Sequence, residues 1–309
     1  MTAVVEIDGS LTQNLHFKWS KDNKPIARVG QDESVRMKIP DCFANQLTES
    51  SNLADLKKID PSTIDGASGP IWIEGAEPGD TLEVEIEQVK AGSWGWSMTE
   101  QQYGLLKNRF ADNFTVWDLR GDFAVSRSGF LKGIKLPLRP FLGIMGVAPV
   151  EGEFPMLPPQ YFGGNLDNKL LTNGAKLYLP ILVKGALFSA ADPHAAQGDG
   201  ESGGTGIETS AVASLKFRVI KDMKIKYPRA LVSVDSKRCV LTMGVSDDVY
   251  KASQIAMDGM VDELGRRGLS GGEAYTLCSL AGDLRISEIV DEPNHVVSMI
   301  VPLDLIRRS

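Results

Sequence analysis

The chain has 309 residues, enough to bury one large core or two small ones. Its 33 Lys and Arg against 40 Asp and Glu give a net charge of −7 with no basic run, which excludes nucleic acid, and no stretch reaches the roughly 18 apolar residues of a membrane span. Three cysteines, at 42, 239 and 278, make no disulfide framework, and an N-terminus with Glu6 and Asp8 in place of a basic-then-apolar leader reads as a cytoplasmic, reduced protein.

With 31 glycines, 16 prolines and only 7% aromatic residues, the composition predicts a turn-rich fold in which short β-branched runs recur between turns. Residues 71–74, 81–86 and 123–125 are the first such runs. Within the second, Leu82, Val84 and Ile86 alternate with Glu83, Glu85 and Glu87, the period of two expected of a strand with one face in the core and one in water. Residues 158–167 predict a Gly-punctuated turn ending in Asn165-Leu166-Asp167. Next comes an apolar β-rich stretch, 175–188, suited to joining two loops across a sandwich. Residues 192–201, with Pro193, Gly198 and Gly200, predict a tight loop. Further strands are expected at 215–220, 230–234 and 296–301. Ser246 is placed to cap a helix whose dipole favours Asp247 and Asp248. Val249, Ala252, Ala256, Met260 and Leu264 carry helical spacing up to Arg266-Arg267-Gly268, and a second helix at 272–281 lines up Ala274, Leu277, Cys278 and Ala281. Because helices do not alternate with strands, a βαβ pattern is excluded. The expected fold is mainly β: an antiparallel β-sandwich or jelly-roll-like core with a small C-terminal helical pair, in one domain spanning 1–309.

The loop 192–201 is the richest in chemistry. It sets His194, one of three histidines, among Asp192, Gln197, Asp199 and Glu201, and surface loops rarely place an imidazole among acids. Such a cluster points to a metal or acid/base site. The glycines at 163 and 164 allow backbone to approach something closely, a second loop or a substrate.

These segments carry a family resemblance. Gly163-Gly164-Asn165-Leu166-Asp167 and His194-Ala195-Ala196-Gln197-Gly198-Asp199-Gly200-Glu201, in order with residues 69–80, 140–149, 179–188 and 279–287, closely resemble the acetamidase/formamidase family over most of the chain. The resemblance implies hydrolysis of short aliphatic amides to a carboxylate and ammonia. It also implies site roles for His16 and Asp41, which stand where the family pattern has a histidine and an aspartate. Two departures bear on pocket shape and so on substrate choice. Ala191 and Pro193 flank Asp192 where the family usually has Gly and a non-proline residue, and Asn45-Gln46 replaces a Gly-Gln pair.

An amide is inert because resonance deactivates its carbonyl. Cleavage needs a strong nucleophile, stabilisation of the oxyanion and a proton for the leaving amine, and a divalent metal meets the first two needs. Asp167 and His194 with a third ligand suit Zn²⁺, which is favoured; Ca²⁺ or Mn²⁺ are alternatives if oxygens dominate. The expected metal ligands are His194, Asp167, Asp41 and His16. Glu201, with its longer reach, is preferred as proton shuttle, with Asp199 competing. Gly164, Asn165 and Gln197 are expected at the substrate, and a homo-oligomer, a dimer by preference, is expected. Asp283 and Arg285 read as an internal ion pair, and His295 as part of an exposed turn outside the site. Two rival readings are a cysteine-nucleophile amidase using Cys42, and a non-catalytic ligand-binding sandwich with structural Ca²⁺. A chelator compared with a thiol alkylator separates the first rival, and ammonia release from formamide or acetamide the second.

Overall fold

The computed structural model describes residues 4–127 and 130–306. The alternating run around Leu82 becomes Thr81–Ala91, a central strand of a nine-stranded sheet. Across that sheet the order is Val4–Asp8, Ser34–Ile39, Ala211–Ile220, Thr81–Ala91, Lys176–Pro180, Arg229–Val234, Lys237–Ser246, His295–Pro302 and Asp283–Glu288. Every neighbouring pair is antiparallel except the first, which is parallel.

A six-stranded sheet runs Gly163–Asn165, Phe141–Gly146, Phe188–His194, Ala67–Ile73 and Leu15–His16, with Ala27–Val29 added in parallel to Ala67–Ile73. The two sheets enclose one core. Leu82, Val84 and Ile86 from the first meet Ile71, Ile144 and Phe188 from the second, and all six are fully buried. Phe188 and Phe217 touch edge-on across the interface at 5.1 Å between ring centroids, a favoured aromatic geometry. A four-stranded sheet (Trp94–Thr99, Asn113–Arg120, Phe123–Ser126, Lys135–Pro137) continues beside them. The mainly-β expectation is met.

The helical pair is α1, Val249–Arg266, and α2, Gly271–Ala281. Ala256, Met260 and Leu264 of α1 and Ala274 and Cys278 of α2 pack on Val240, Met299 and Val301 of the large sheet. Helix α1 lies so close that a Cβ on Gly244 would stand 1.9 Å from the Ala252 carbonyl oxygen. The cap differs from expectation. Ser246 is the last residue of a strand, paired with His295, so the capping role passes to Asp248, whose carboxylate accepts from Lys251 N at 2.7 Å. His295 is accordingly a half-buried strand residue, not part of an exposed turn.

Three predicted loops or stretches also change. Gly163–Asn165 is a strand, antiparallel to Phe141–Gly146. The apolar run 175–188 divides between both sheets, as Lys176–Pro180 and the start of Phe188–His194. Asp192, Pro193 and His194 end that latter strand instead of opening a loop. Pairing with Ala67–Ile73 stops at Ala190, so Pro193 forfeits no ladder hydrogen bond on that side and the strand continues through it.

Candidate active site

Strand geometry builds the centre. Side chains two apart share a face, so Asp192 and His194 project together from Phe188–His194. Phe141, opposite His194 in the ladder, packs its ring edge-on against the imidazole at 5.1 Å. The chain then turns back on itself, with reciprocal bonds between Ala195 and Ile207 and between Ile207 and Ala196, each 2.8 Å, and this return sets Glu208 directly beside His194. Glu201 sits in the intervening turn with φ of 47°, a left-handed conformation uncommon for a residue with a side chain. Asp167 follows Gly163–Asn165 and is fully buried. Gly143, on the neighbouring strand, makes room for two acids at once, since a Cβ there would lie 2.4 Å from Asp192 Oδ2 and 2.5 Å from Asp167 Oδ1.

The imidazole is surrounded. His194 Nε2 lies 2.9 Å from Glu208 Oε1, 3.3 Å from Asp192 Oδ1 and 3.7 Å from Glu201 Oε1. Nδ1 is 2.7 Å from Gln197 Oε1 and 3.6 Å from Asp167 Oδ1. Gln197 fixes the tautomer. Its amide nitrogen donates to the Asp167 carbonyl at 2.8 Å, so its oxygen faces His194 and accepts the Nδ1 proton. In neutral imidazole, Nε2 then turns a lone pair towards three carboxylates. Three acceptor atoms in the cluster are buried without any hydrogen-bond donor: both oxygens of Asp167 and Oε2 of Glu208.

Electrostatics follow from burial. Burial pulls the imidazole pKa down, but Asp192 and Glu208 more than reverse this and hold it well above its ordinary value. Burial and then Glu201 push Asp167 far above the usual carboxylate range. Glu201 is also raised well above that range, by burial first, with His194 opposing. Burial pushes Glu208 up to about 8. An uncompensated nest of acids in low dielectric is costly, and a bound cation is the ordinary remedy.

Beside the acids is a cavity of about 220 Å³. Asp192, His194, Glu201 and Glu208 line it together with the apolar side chains of Phe43, Ile64, Met98 and Leu157. Two further residues buttress it. Tyr103 donates to Asp291 Oδ1, and Asn165 Nδ2 donates to Asp291 Oδ2 at 2.8 Å.

The structure therefore brings Asp167, His194 and Glu201 together, with one ligand atom from each within 4.8 Å of the others. Gln197 and Asn165 border them as tethers. Four other sequence candidates lie outside the cluster. Asp199 is 39% exposed at its side chain and pairs with Lys169 at 3.1 Å. His16 bonds Ser189 Oγ at 2.7 Å and the Lys18 carbonyl at 2.9 Å, and burial pulls its pKa down to about 4. Asp41 accepts from the Trp96 indole at 3.0 Å and from Asn45 N at 2.7 Å, and so holds a turn. Gly164 packs towards Trp19, and its φ of 94° serves the chain path. Asp283 and Arg285 do face each other, at 3.5 Å, on the edge strand Asp283–Glu288. The sequence reading placed Asp192 beside His194 but gave it no role, and it did not single out Glu208, Tyr103 or Asp291, which the structure brings to the cavity. Only Asp192 had a readable signal, its two-residue spacing from His194.

Comparison with known proteins agrees with the resemblance. The family model described as Acetamidase/Formamidase family matches residues 5–155 and 154–308. The chain belongs to that family, and it is an amidase, a hydrolase of linear amides. It is 27% identical to a formamidase of Methylophilus methylotrophus over 94% of this chain and 89% of that one. Among solved structures, an acetamidase from Bacillus halodurans matches with a TM-score of 0.88 and 32% identity, covering 98% of both chains. A predicted acetamidase/formamidase from Thermoanaerobacter tengcongensis matches with a TM-score of 0.88 and 31% identity, over 99% of this chain and 100% of that one.

Proposed function

We propose that the chain cleaves short aliphatic amides of the formamide and acetamide type to a carboxylate and ammonia, with a divalent cation at His194. The observation that carries this reading is the set of buried, donorless oxygens on Asp167 and Glu208 around an imidazole whose Nδ1 is held by Gln197 and whose Nε2 faces Glu208, Asp192 and Glu201. That donor set fits a cation. His194 Nε2, Asp192 and Glu208 would hold it, with Asp167 and Glu201 completing the ring of acids. A bound ion would supply Lewis acidity to the amide carbonyl and lower the pKa of water beside it.

The chain's own residues do the rest. Glu201 lines the cavity, and burial raises its carboxyl above the usual range, so it is placed to protonate the departing nitrogen. Asp291, tied by Tyr103 and Asn165, braces the cavity wall next to Asp167. The apolar side chains of Phe43, Ile64, Met98 and Leu157 receive the acyl group and keep bulk water away. A cysteine nucleophile fits less well. Burial, with Glu208 and Asp192 nearby, pushes the Cys42 thiol well above its ordinary pKa, so without a cation to displace its proton it withholds the thiolate such chemistry needs.

Elemental analysis of the purified protein, paired with ammonia release from formamide and acetamide before chelation, after it, and after restoring metal, tests the reading. Activity should vanish on chelation and return with a divalent ion. Full activity in metal-free protein would overturn it.

A further inference from the structure

We propose that Cys42 is a sulfur ligand of the cation centre, which makes the site one for a thiophilic, borderline ion such as Zn²⁺ and not for Ca²⁺. The inference rests on the metal-dependent reading above and concerns the identity of the ligands, not the reaction.

The backbone around Cys42 is fixed on both sides. Asp41 before it is held by the Trp96 indole and by Asn45 N, Ala44 N bonds the Asp41 carbonyl at 2.9 Å, and Asp65 N bonds the Cys42 carbonyl at 2.7 Å. This anchoring delivers the sulfur to the wall of the catalytic cavity. There Cys42 Sγ, an Asp192 oxygen and a Glu208 oxygen all lie within 4.8 Å of one another. The same two carboxylates stand 3.3 and 2.9 Å from His194 Nε2. Asp192 and Glu208 thus stand between the Cys42 sulfur and the imidazole, and each neighbours both. Around tetrahedral zinc, with bonds of about 2.0–2.3 Å, neighbouring donors stand roughly 3.5 Å apart, so the sulfur and the two carboxylates would draw in on a shared ion.

A cysteine in a partly buried position such as Cys42 is often just a small apolar filler. Here a second observation points to an ion. Glu208 is 2% exposed, and its Oε2 has no hydrogen-bond partner. Hard Ca²⁺ takes oxygens, whereas a set containing sulfur and imidazole suits Zn²⁺ or Co²⁺.

Cobalt makes the bond visible, because a thiolate bound to Co²⁺ gives an intense near-ultraviolet charge-transfer band that oxygen and nitrogen ligands do not. Metal-free protein titrated with Co²⁺ should develop that band; Zn²⁺ should abolish it and Ca²⁺ should not. Cys42→Ala should bind Co²⁺ at least about tenfold more weakly and show no band. Cys42→Asp, which restores a charged ligand, should recover affinity without the band and guards against a folding defect in the alanine variant. Tight cobalt binding with visible d–d absorption but no charge-transfer band, or a band that survives in Cys42→Ala, would overturn the inference and leave the metal-dependent reading standing. Failure of Co²⁺ and Zn²⁺ to bind wild-type protein would overturn the inference, and failure of Ca²⁺ and Mn²⁺ as well would remove the metal-dependent reading with it.

Discussion

At the scale of single residues, Gln197 decides what His194 can do. By accepting the Nδ1 proton and donating to the Asp167 carbonyl, it leaves Nε2 available among the carboxylates. Gln197→Leu should keep the fold but lower metal affinity by about 10- to 100-fold, the usual cost of losing an outer partner of a ligating histidine; competition with a chromophoric chelator measures it. Glu201 makes a different prediction. Glu201→Gln should retain its metal and lose about 10²- to 10⁴-fold in kcat with little change in KM. Metal loss in that variant would make Glu201 a ligand instead of a proton carrier. His194, Asp167 and Glu201 could be picked out from the sequence because each lies in a short run that mixes glycines with polar residues. Asp199 stood in the same run, but its side chain turns to Lys169, and nothing in residue order distinguishes the two acids.

At the scale of elements, the site depends on how closely two strands approach. Gly143 is the contact point between the strand that bears Asp192 and His194 and the segment that bears Asp167. Gly143→Ala should wedge the two carboxylates apart, costing about 1–3 kcal/mol of stability by overpacking and, more tellingly, most of the bound metal. Denaturant unfolding beside metal analysis separates the effects; full occupancy in this variant would show that Asp167 and Asp192 do not share an ion. The helices were legible because a 3.6-residue period survives any tertiary context. The strand Phe188–His194 was less so. Pro193 and the nearby glycines carry turn propensity, yet pairing with Phe141–Gly146 outweighs it, and reading the segment as a loop hid the spacing that links Asp192 to His194. The helix cap failed for a related reason, since pairing with His295 claims Ser246 for the sheet.

At the scale of the whole molecule, the buried acids tie stability to pH. Burial, then Asp291, pushes Glu288 up to about 9, and burial pushes Asp291 up to about 6. Each carboxyl holds its proton more tightly folded than unfolded, so its contribution is complete below the unfolded pKa and is lost as pH rises through the folded one. Metal-free protein should therefore weaken between about pH 4 and pH 9, by up to ~1.4 kcal/mol per pH unit for each proton released. Glu288→Gln should flatten the upper part of that slope; denaturant midpoints at successive pH values decide it, and stability that rises across the interval would show these acids ionised in the fold. The family was legible across the whole chain, while the full ring of acids was not, because Glu208 reaches His194 only through the return after Ala195 and Asp291 joins the cavity wall only once distant segments have folded. That convergence also sets a chronology. The cavity takes Cys42 from near the start of the chain and Asp291 from near its end. Every segment from Cys42 to Asp291 must be made and paired before the last wall exists, so a fragment lacking either end of that stretch should not form the cavity.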